Sequence, residues 1–180
     1  MLYPYYTDPD IEKATVVYPL REGSIFLAQK KQNIHTKKGE ELTKSAVLNG
    51  WGGKQELTDS SIYATAVREL WEESTIQAKE EDLVPVGRLY FFWPGNTSGI
   101  PNMIVTFFFL YIWEGELKET EWMGEPLMFS YDAIPYDRLF KADRKFLPKF
   151  LAGEKFVADV FFDQKDENGL PVMILKDEAL

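Results

Sequence analysis

The chain has 180 residues, enough for one globular domain with a full apolar core. Its 45% hydrophobic and 15% aromatic content excludes a disordered chain, and zero cysteines exclude disulfides and thiolate metal centres. A net charge of -9 disfavours a nucleic-acid polymer as partner and leaves two readings, simple solubility or contact with polyphosphates through metal cations.

Residues 1–12 read as a polar and aromatic lead-in, with Pro4 and Pro9 opposing regular structure. They lack the basic and apolar segments of a secretory signal, and nowhere does an apolar run approach the ~18 residues of a membrane span. A cytoplasmic protein is expected. Residues 14–19 and 24–29 are short apolar runs joined by Arg21-Glu22-Gly23, a hairpin signal. Residues 30–44 form a long polar loop, in which His35 reads as a bystander. A helix is predicted over residues 62–73, with Thr58, Asp59 and Ser60 offering N-cap oxygens. Strands are predicted at 83–93 and 103–113, separated by a turn at 94–99, and a shorter one at 126–130. A second helix covers 144–152, kinked or started by Pro148 and stopped by Gly153. Residues 155–162 and 171–176 complete a hairpin around Asp166-Glu167-Asn168-Gly169. No repeat or linker divides residues 1–180, so the expectation is one α/β domain, a mixed sheet with a helix on each face.

Chemistry concentrates in Arg68-Glu69-Leu70-Trp71-Glu72-Glu73. At helical spacing the three glutamates share an arc of roughly 100°. Exposed, they are an ordinary acidic face; partly buried, they demand cations that Arg68 alone does not supply. Oxygen-only ligands of this kind suit Mg²⁺ or Mn²⁺. The opposite side, with Ala64, Val67 and Trp71 flanked by Ala66 and Leu70, is expected to pack on the sheet. Upstream, Gly50-Trp51-Gly52-Gly53-Lys54 is either a tight turn or a place where phosphate or metal approaches the main chain.

Together the glycine loop and the Arg-Glu-Leu-x-Glu-Glu helix resemble the Nudix box, G-x5-E-x7-R-E-U-x-E-E-x-G-U, U being bulky and aliphatic. Three positions depart from it. The interval from Gly53 to Arg68 is one residue longer, the first glutamate has only Asp59 as its nearest counterpart, and Thr75 stands for the final glycine. Flanking segments, including Leu48 to Lys54, Val86-Gly87-Arg88-Leu89-Tyr90-Phe91 and Leu139 to Asp143, are similar to the MutT-like branch that hydrolyses 8-oxo-dGTP.

The resemblance implies a Nudix fold: an α/β/α sandwich with a central mixed β-sheet and the box as loop-helix-loop. It implies Mg²⁺, or Mn²⁺ in its place, on Glu69, Glu72 and Glu73, with Glu121 from a distant acidic loop as a further ligand or merely a solvated residue. Glu73 or Glu121 is the expected general base, with Arg68 beside them. Gly52 and Gly53 belong to the substrate loop, and Lys30 and Lys54 are phosphate contacts or ordinary surface lysines. Asn49, Phe91 and Phe140 would frame the base, the two rings being otherwise core residues. Asp143 matches one acid of a base-reading pair and Ala142 replaces the other, so weak preference for 8-oxo-purines is expected.

The reaction implied is metal-assisted hydrolysis of a nucleoside triphosphate to monophosphate and pyrophosphate. Nucleoside diphosphate sugars and dinucleoside polyphosphates are the rival substrates, and a nucleotide sensor that does not hydrolyse is the rival class. The partner is a small nucleotide, with no membrane, and the protein is a monomer or a homodimer.

Overall fold

The computed structural model describes residues 8–31 and 47–180; most of the polar loop, with His35, lies outside them. Among the described residues eight strands form one mixed sheet: β1 (Glu12–Arg21), β2 (Ser24–Gln29), β3 (Leu48–Asn49), β4 (Leu83–Phe92), β5 (Met103–Leu110), β6 (Leu127–Ser130), β7 (Phe156–Lys165) and β8 (Pro171–Lys176). The order is β3-β2-β1-β5-β4-β7-β8, with β6 on β2. Pairs β1–β5 and β4–β7 are parallel, and the remaining pairs are antiparallel. Both expected hairpins form. That of β1 and β2 is narrow, Leu20 opposite Ile25 and Arg21 opposite Ser24.

Two helices, α1 (Ile62–Ser74) and α2 (Asp143–Leu151), cover opposite faces. Central β5, MIVTFFFL, carries apolar side chains in both directions because both of its sides are covered. Val105, Phe107 and Phe109 join the cluster containing Phe146, Leu147 and Phe150 of α2. Phe108 and Leu110 join Ala66 and Leu70 of α1. Period-two alternation in one strand thereby sorts two cores. The contact of Phe107 with Phe146, rings 4.6 Å apart, contributes about 0.5–1.5 kcal/mol beyond area burial.

Local chemistry differs from the sequence reading at several points. Strand β1 starts at Glu12, so the lead-in is shorter than residues 1–12, and β5 stops at Leu110, leaving Tyr111 and Ile112 exposed. The N-cap of α1 is Ser61, whose Oγ accepts from Ala64 N at 2.9 Å; Asp59 is spent elsewhere. Helix α2 begins at Asp143, with Pro148 inside it. Trp71 is 56% exposed, whereas Thr65, Ala66, Leu70, Glu73 and Ser74 are buried. The packed stripe of α1 therefore runs Ala66, Leu70, Glu73, at i, i+4 and i+7. The acidic side adjoins the core; it does not oppose it.

Candidate active site

The glycine loop runs beside β1. Thr15 N donates to Gly53 O at 2.9 Å, Val17 N to Trp51 O at 2.7 Å, and Gln55 N to Lys13 O at 2.8 Å. This path presses the loop between β1 and α1, where side chains do not fit. A Cβ on Gly52 would lie 2.1 Å from Thr15 O, and one on Gly53 would lie 2.6 Å from the Glu69 carboxyl atoms. Gly52 is required by its close approach to the β1 backbone, and Gly53 lies against the carboxyl of Glu69 on the acidic helix.

Glu73 faces this loop. Its Oε2 accepts from Gly52 N at 2.9 Å, and its Oε1 is 3.7 Å from Lys30 Nζ, a charge pair rather than a hydrogen bond. Lys30 Nζ in turn donates to Gly52 O at 3.3 Å. Burial raises the Glu73 pKa above the usual carboxylate range, against the opposing pull of Lys30 and Gly52 N–H. Glu69 is raised for the same first reason, opposed by Arg68 and reinforced by the charges on Glu73 and Glu72. Glu72 lies outermost, its side chain 44% exposed against 14% for Glu69 and 11% for Glu73.

Arg68 ties the cluster together. Its Nη1 donates to Glu69 Oε1 at 2.8 Å and to Glu72 Oε2 at 3.1 Å, and its Nη2 to Lys54 O at 3.0 Å. Its other contact is a two-pronged grip on Asp59, Nε to Oδ1 at 3.0 Å and Nη2 to Oδ2 at 2.9 Å. That hydrogen-bonded charge holds Asp59 well below the ordinary carboxylate range and pushes Arg68 above its own. The substitute for the first glutamate of the box thus anchors the arginine.

Among the described residues no three acidic side chains already close on one point as a metal shell. The residues nonetheless fit a divalent cation. Glu69 and Glu73 are half-desolvated carboxylates with raised pKa values, each raised partly by a neighbouring carboxylate, a strain that a cation relieves. Their donors are all oxygen, and Gly53, lacking a side chain, lets the Glu69 carboxyl lie against the main chain.

The other expected residues divide. The Glu121 loop is fastened to this end of α1: Thr120 Oγ1 donates to Glu73 O at 3.0 Å, Lys31 Nζ bonds Glu119 at 2.5 Å, and Gly124 N donates to Gln29 O at 2.8 Å. Glu121 itself is exposed. Lys54 is not brought to the carboxylates through its ammonium, which pairs with Glu12 at 2.6 Å and is 64% exposed.

Of the residues expected to frame the base, Phe91 joins the α2-side core. Asn49 is buried, its Oδ1 accepting from Gly50 N at 2.9 Å, and the neighbouring Leu48 bridges to Leu139. Phe91 is buried against Trp93 and Phe162, with ring centroids at 5.7 and 5.5 Å, while Phe140 is half-buried. Asp143, first residue of α2, is buried, and burial pushes its pKa up to about 8. Nearby sits Tyr18, a residue the sequence reading missed because Val-Val-Tyr in a strand carries only a packing signal. Two surface clefts, one lined by Phe92, Trp93, Asn96 and Asp159 and another by Leu20, Tyr111, Tyr131 and Lys155, belong to neither cluster.

An acidic helix under a glycine strand, with oxygen donors for a metal and lysine and arginine beside them, fits a hydrolase of phosphoric anhydride bonds. The NUDIX domain model matches residues 11–150, and the chain belongs to that family. It is a Nudix pyrophosphohydrolase, of a family that generally uses divalent metals. The fold is similar to that of the mutator MutT protein from Bacillus halodurans, 19% identical over 94% of this chain and 100% of that one, with a TM-score of 0.66. It is also similar to a NUDIX hydrolase from Nitrosomonas europaea, 12% identical over 86% and 81%, TM-score 0.64. The ORF135 protein of E. coli is 22% identical over 79% and 89%, TM-score 0.57. No curated protein sequence matches significantly. No helix among the described residues is long and apolar enough to cross a membrane.

Proposed function

We propose that the whole chain is one catalytic domain that hydrolyses a purine nucleoside triphosphate to its monophosphate and pyrophosphate with Mg²⁺. The observation that supports this reading is the presence of two differently buried acid sites: Glu69 and Glu73 beside the Gly52-Gly53 strand, and Asp143 at the start of α2. Glu69, Glu72 and Glu73 would hold the metal, with Glu121 as a further ligand from its fastened loop. When bound, Mg²⁺ supplies positive charge to the phosphate oxygens and acidity to the attacking water.

The chain's own groups do the rest. Lys30 is a cation at the mouth of the cluster, shared between Glu73 and Gly52 O, and is the residue positioned to meet a phosphate. Lys54 contributes through its carbonyl on Arg68 rather than through its ammonium. Arg68, gripped by Asp59, fixes the rotamers of Glu69 and Glu72. Glu73 takes the proton of the attacking water at a carboxylate oxygen. Asn49, Phe91 and Phe140 frame the base, and Asp143, neutral at pH 7, donates a hydrogen bond to an acceptor on its edge.

Incubation of the protein with Mg²⁺ and a panel including GTP, dGTP, 8-oxo-dGTP, ATP, CTP, a nucleoside diphosphate sugar and a dinucleoside polyphosphate tests this. Chromatography is expected to resolve monophosphate and pyrophosphate from the purine triphosphates. Faster cleavage of the sugar or dinucleoside compounds overturns the triphosphate assignment, and a pyrimidine preference overturns the base assignment.

A further inference from the structure

Tyr18 points outward from β1 into the α2-side core, 1% exposed, and its hydroxyl has no hydrogen-bond partner among the described residues. Phe107 stacks on its ring at 6.4 Å, and Phe109 meets it edge-on at 6.4 Å. Its Cδ1 lies 2.8 Å from where a Cβ on Gly50 would stand, directly after Asn49. Helix α2 reaches the same aromatic group: Phe146, one turn after Asp143, packs on Phe107 at 4.6 Å. Tyr18 thus shares one buried cluster with Ala142, directly before Asp143 in the chain, and with Phe146, one helical turn after it.

A phenylalanine would fill this space without burying a hydroxyl, as Phe107, Phe109, Phe146 and Phe150 do around it. A buried hydroxyl without a partner is costly, and its chemistry asks for an acceptor. The ionisable group acting on it is Asp143, whose charge reinforces the rise that burial causes in the Tyr18 pKa. Among the described residues, burial of Asp143 is opposed only by a backbone N–H. A neutral carboxyl has one O–H to give and a carbonyl oxygen able to accept. If the carbonyl oxygen accepts from Tyr18, the acid's proton is left for the ligand.

We propose that Tyr18 is a positioning residue for base recognition, its phenol O–H donating to the Asp143 carboxyl when a nucleobase is bound, so that the acid presents its own proton to an acceptor on the base. This rests on the reading of Asp143 as the base-reading acid. Every nucleobase carries an acceptor, so the selection lies in which base places its acceptor opposite the Asp143 proton, and a purine is the base expected to do so.

The test is a cycle of Y18F, D143N and the double variant, each assayed with Mg²⁺ on GTP and CTP alongside thermal unfolding. Y18F removes one oxygen and is expected to melt no lower than the parent. Its KM for GTP rises about tenfold, the scale of one positioned hydrogen bond, with the loss concentrated in KM and smaller on CTP. D143N also loses the GTP preference, and Y18F added to D143N costs nothing more. A Y18F protein that keeps the GTP preference while D143N loses it overturns the role of Tyr18 alone. Losses that add in full, or fall equally on GTP and CTP, also overturn it and leave a packing residue. If D143N itself keeps the preference, the base-reading role of Asp143 falls, and the role of Tyr18 falls with it.

Discussion

The two faces of the sheet bury carboxyl groups and handle them in opposite ways. On the α1 face Glu69 and Glu73 are surrounded by Arg68, Lys30 and the Gly52 N–H, so burial raises their pKa values against resistance. On the α2 face Asp143 is buried at the start of the helix, where among the described residues only a backbone N–H opposes burial, and burial carries its pKa to about 8. Burial disfavours the charged form in both places; only the neighbouring cations and donors differ. One face therefore keeps carboxylates available to metal and phosphate, while the other keeps an acid able to donate a proton. The same functional group, a carboxyl, is held in two states because β5 separates two cores.

The largest expected effect breaks the charged side. Glu73→Gln keeps an oxygen to accept from Gly52 N but loses the charge paired with Lys30 and any ability to take a proton. Turnover is expected to fall roughly 10²–10⁴-fold, with thermal unfolding close to the parent. Near-parental turnover would show that Glu73 is not the base, and Glu121→Gln would then be the variant to assay.

The neutral side is sharpened by pH. The folded pKa of Asp143, about 8, exceeds its ordinary value of 3.8, so the native state binds the extra proton between those limits. Stability from this group is complete below about pH 4, declines as pH rises, and is lost above about pH 8. At ~1.4 kcal/mol per pH unit the full swing is a few kcal/mol. Asp143→Asn, nearly the same shape and never charged, removes it. Paired urea unfolding from pH 5 to 9 is expected to show the variant gaining on the parent as pH rises. Parallel curves would mean that Asp143 is charged in the fold at neutral pH and that the contrast between the faces is false.

How far this contrast could be read from residues alone depends on range. The Arg68 to Glu73 segment announced its chemistry because helical geometry places those side chains from local spacing. The run at 103–113 was legible as a strand from its composition, whereas its sorting of two cores showed only in the fold. The packed side of α1 was misjudged: Trp71 looked like core, yet which stripe meets the sheet depends on where the helix lands, a non-local matter. The Lys54 pairing with Glu12 joins the glycine loop to β1 and has no local signal. Tyr18 was hidden because a core tyrosine and a functional one have the same neighbours in sequence. The Asp59 grip on Arg68 spans nine positions of turn and helix, so Asp59 looked equally suited to capping.

The smallest effect concerns the end of the charged helix. Thr75 closes α1 with φ 67°, donating its N–H to Trp71 O at 2.9 Å, where the box has glycine. A β-branched residue in this left-handed region costs roughly 1–2 kcal/mol relative to glycine. Two terms oppose a gain from Thr75→Gly: the exposed bond from Thr75 Oγ1 to Glu116 O at 3.2 Å is lost, and glycine loosens the unfolded chain. The strain term is the larger, because an exposed bond at that length contributes little. A net stabilisation of about 0.5–1 kcal/mol is expected, a rise of a few degrees in Tm. A drop in Tm would mean that the hydroxyl's hold on the 111–126 loop outweighs the backbone strain. The acidic helix would then depend for its position on the same loop that carries Glu121.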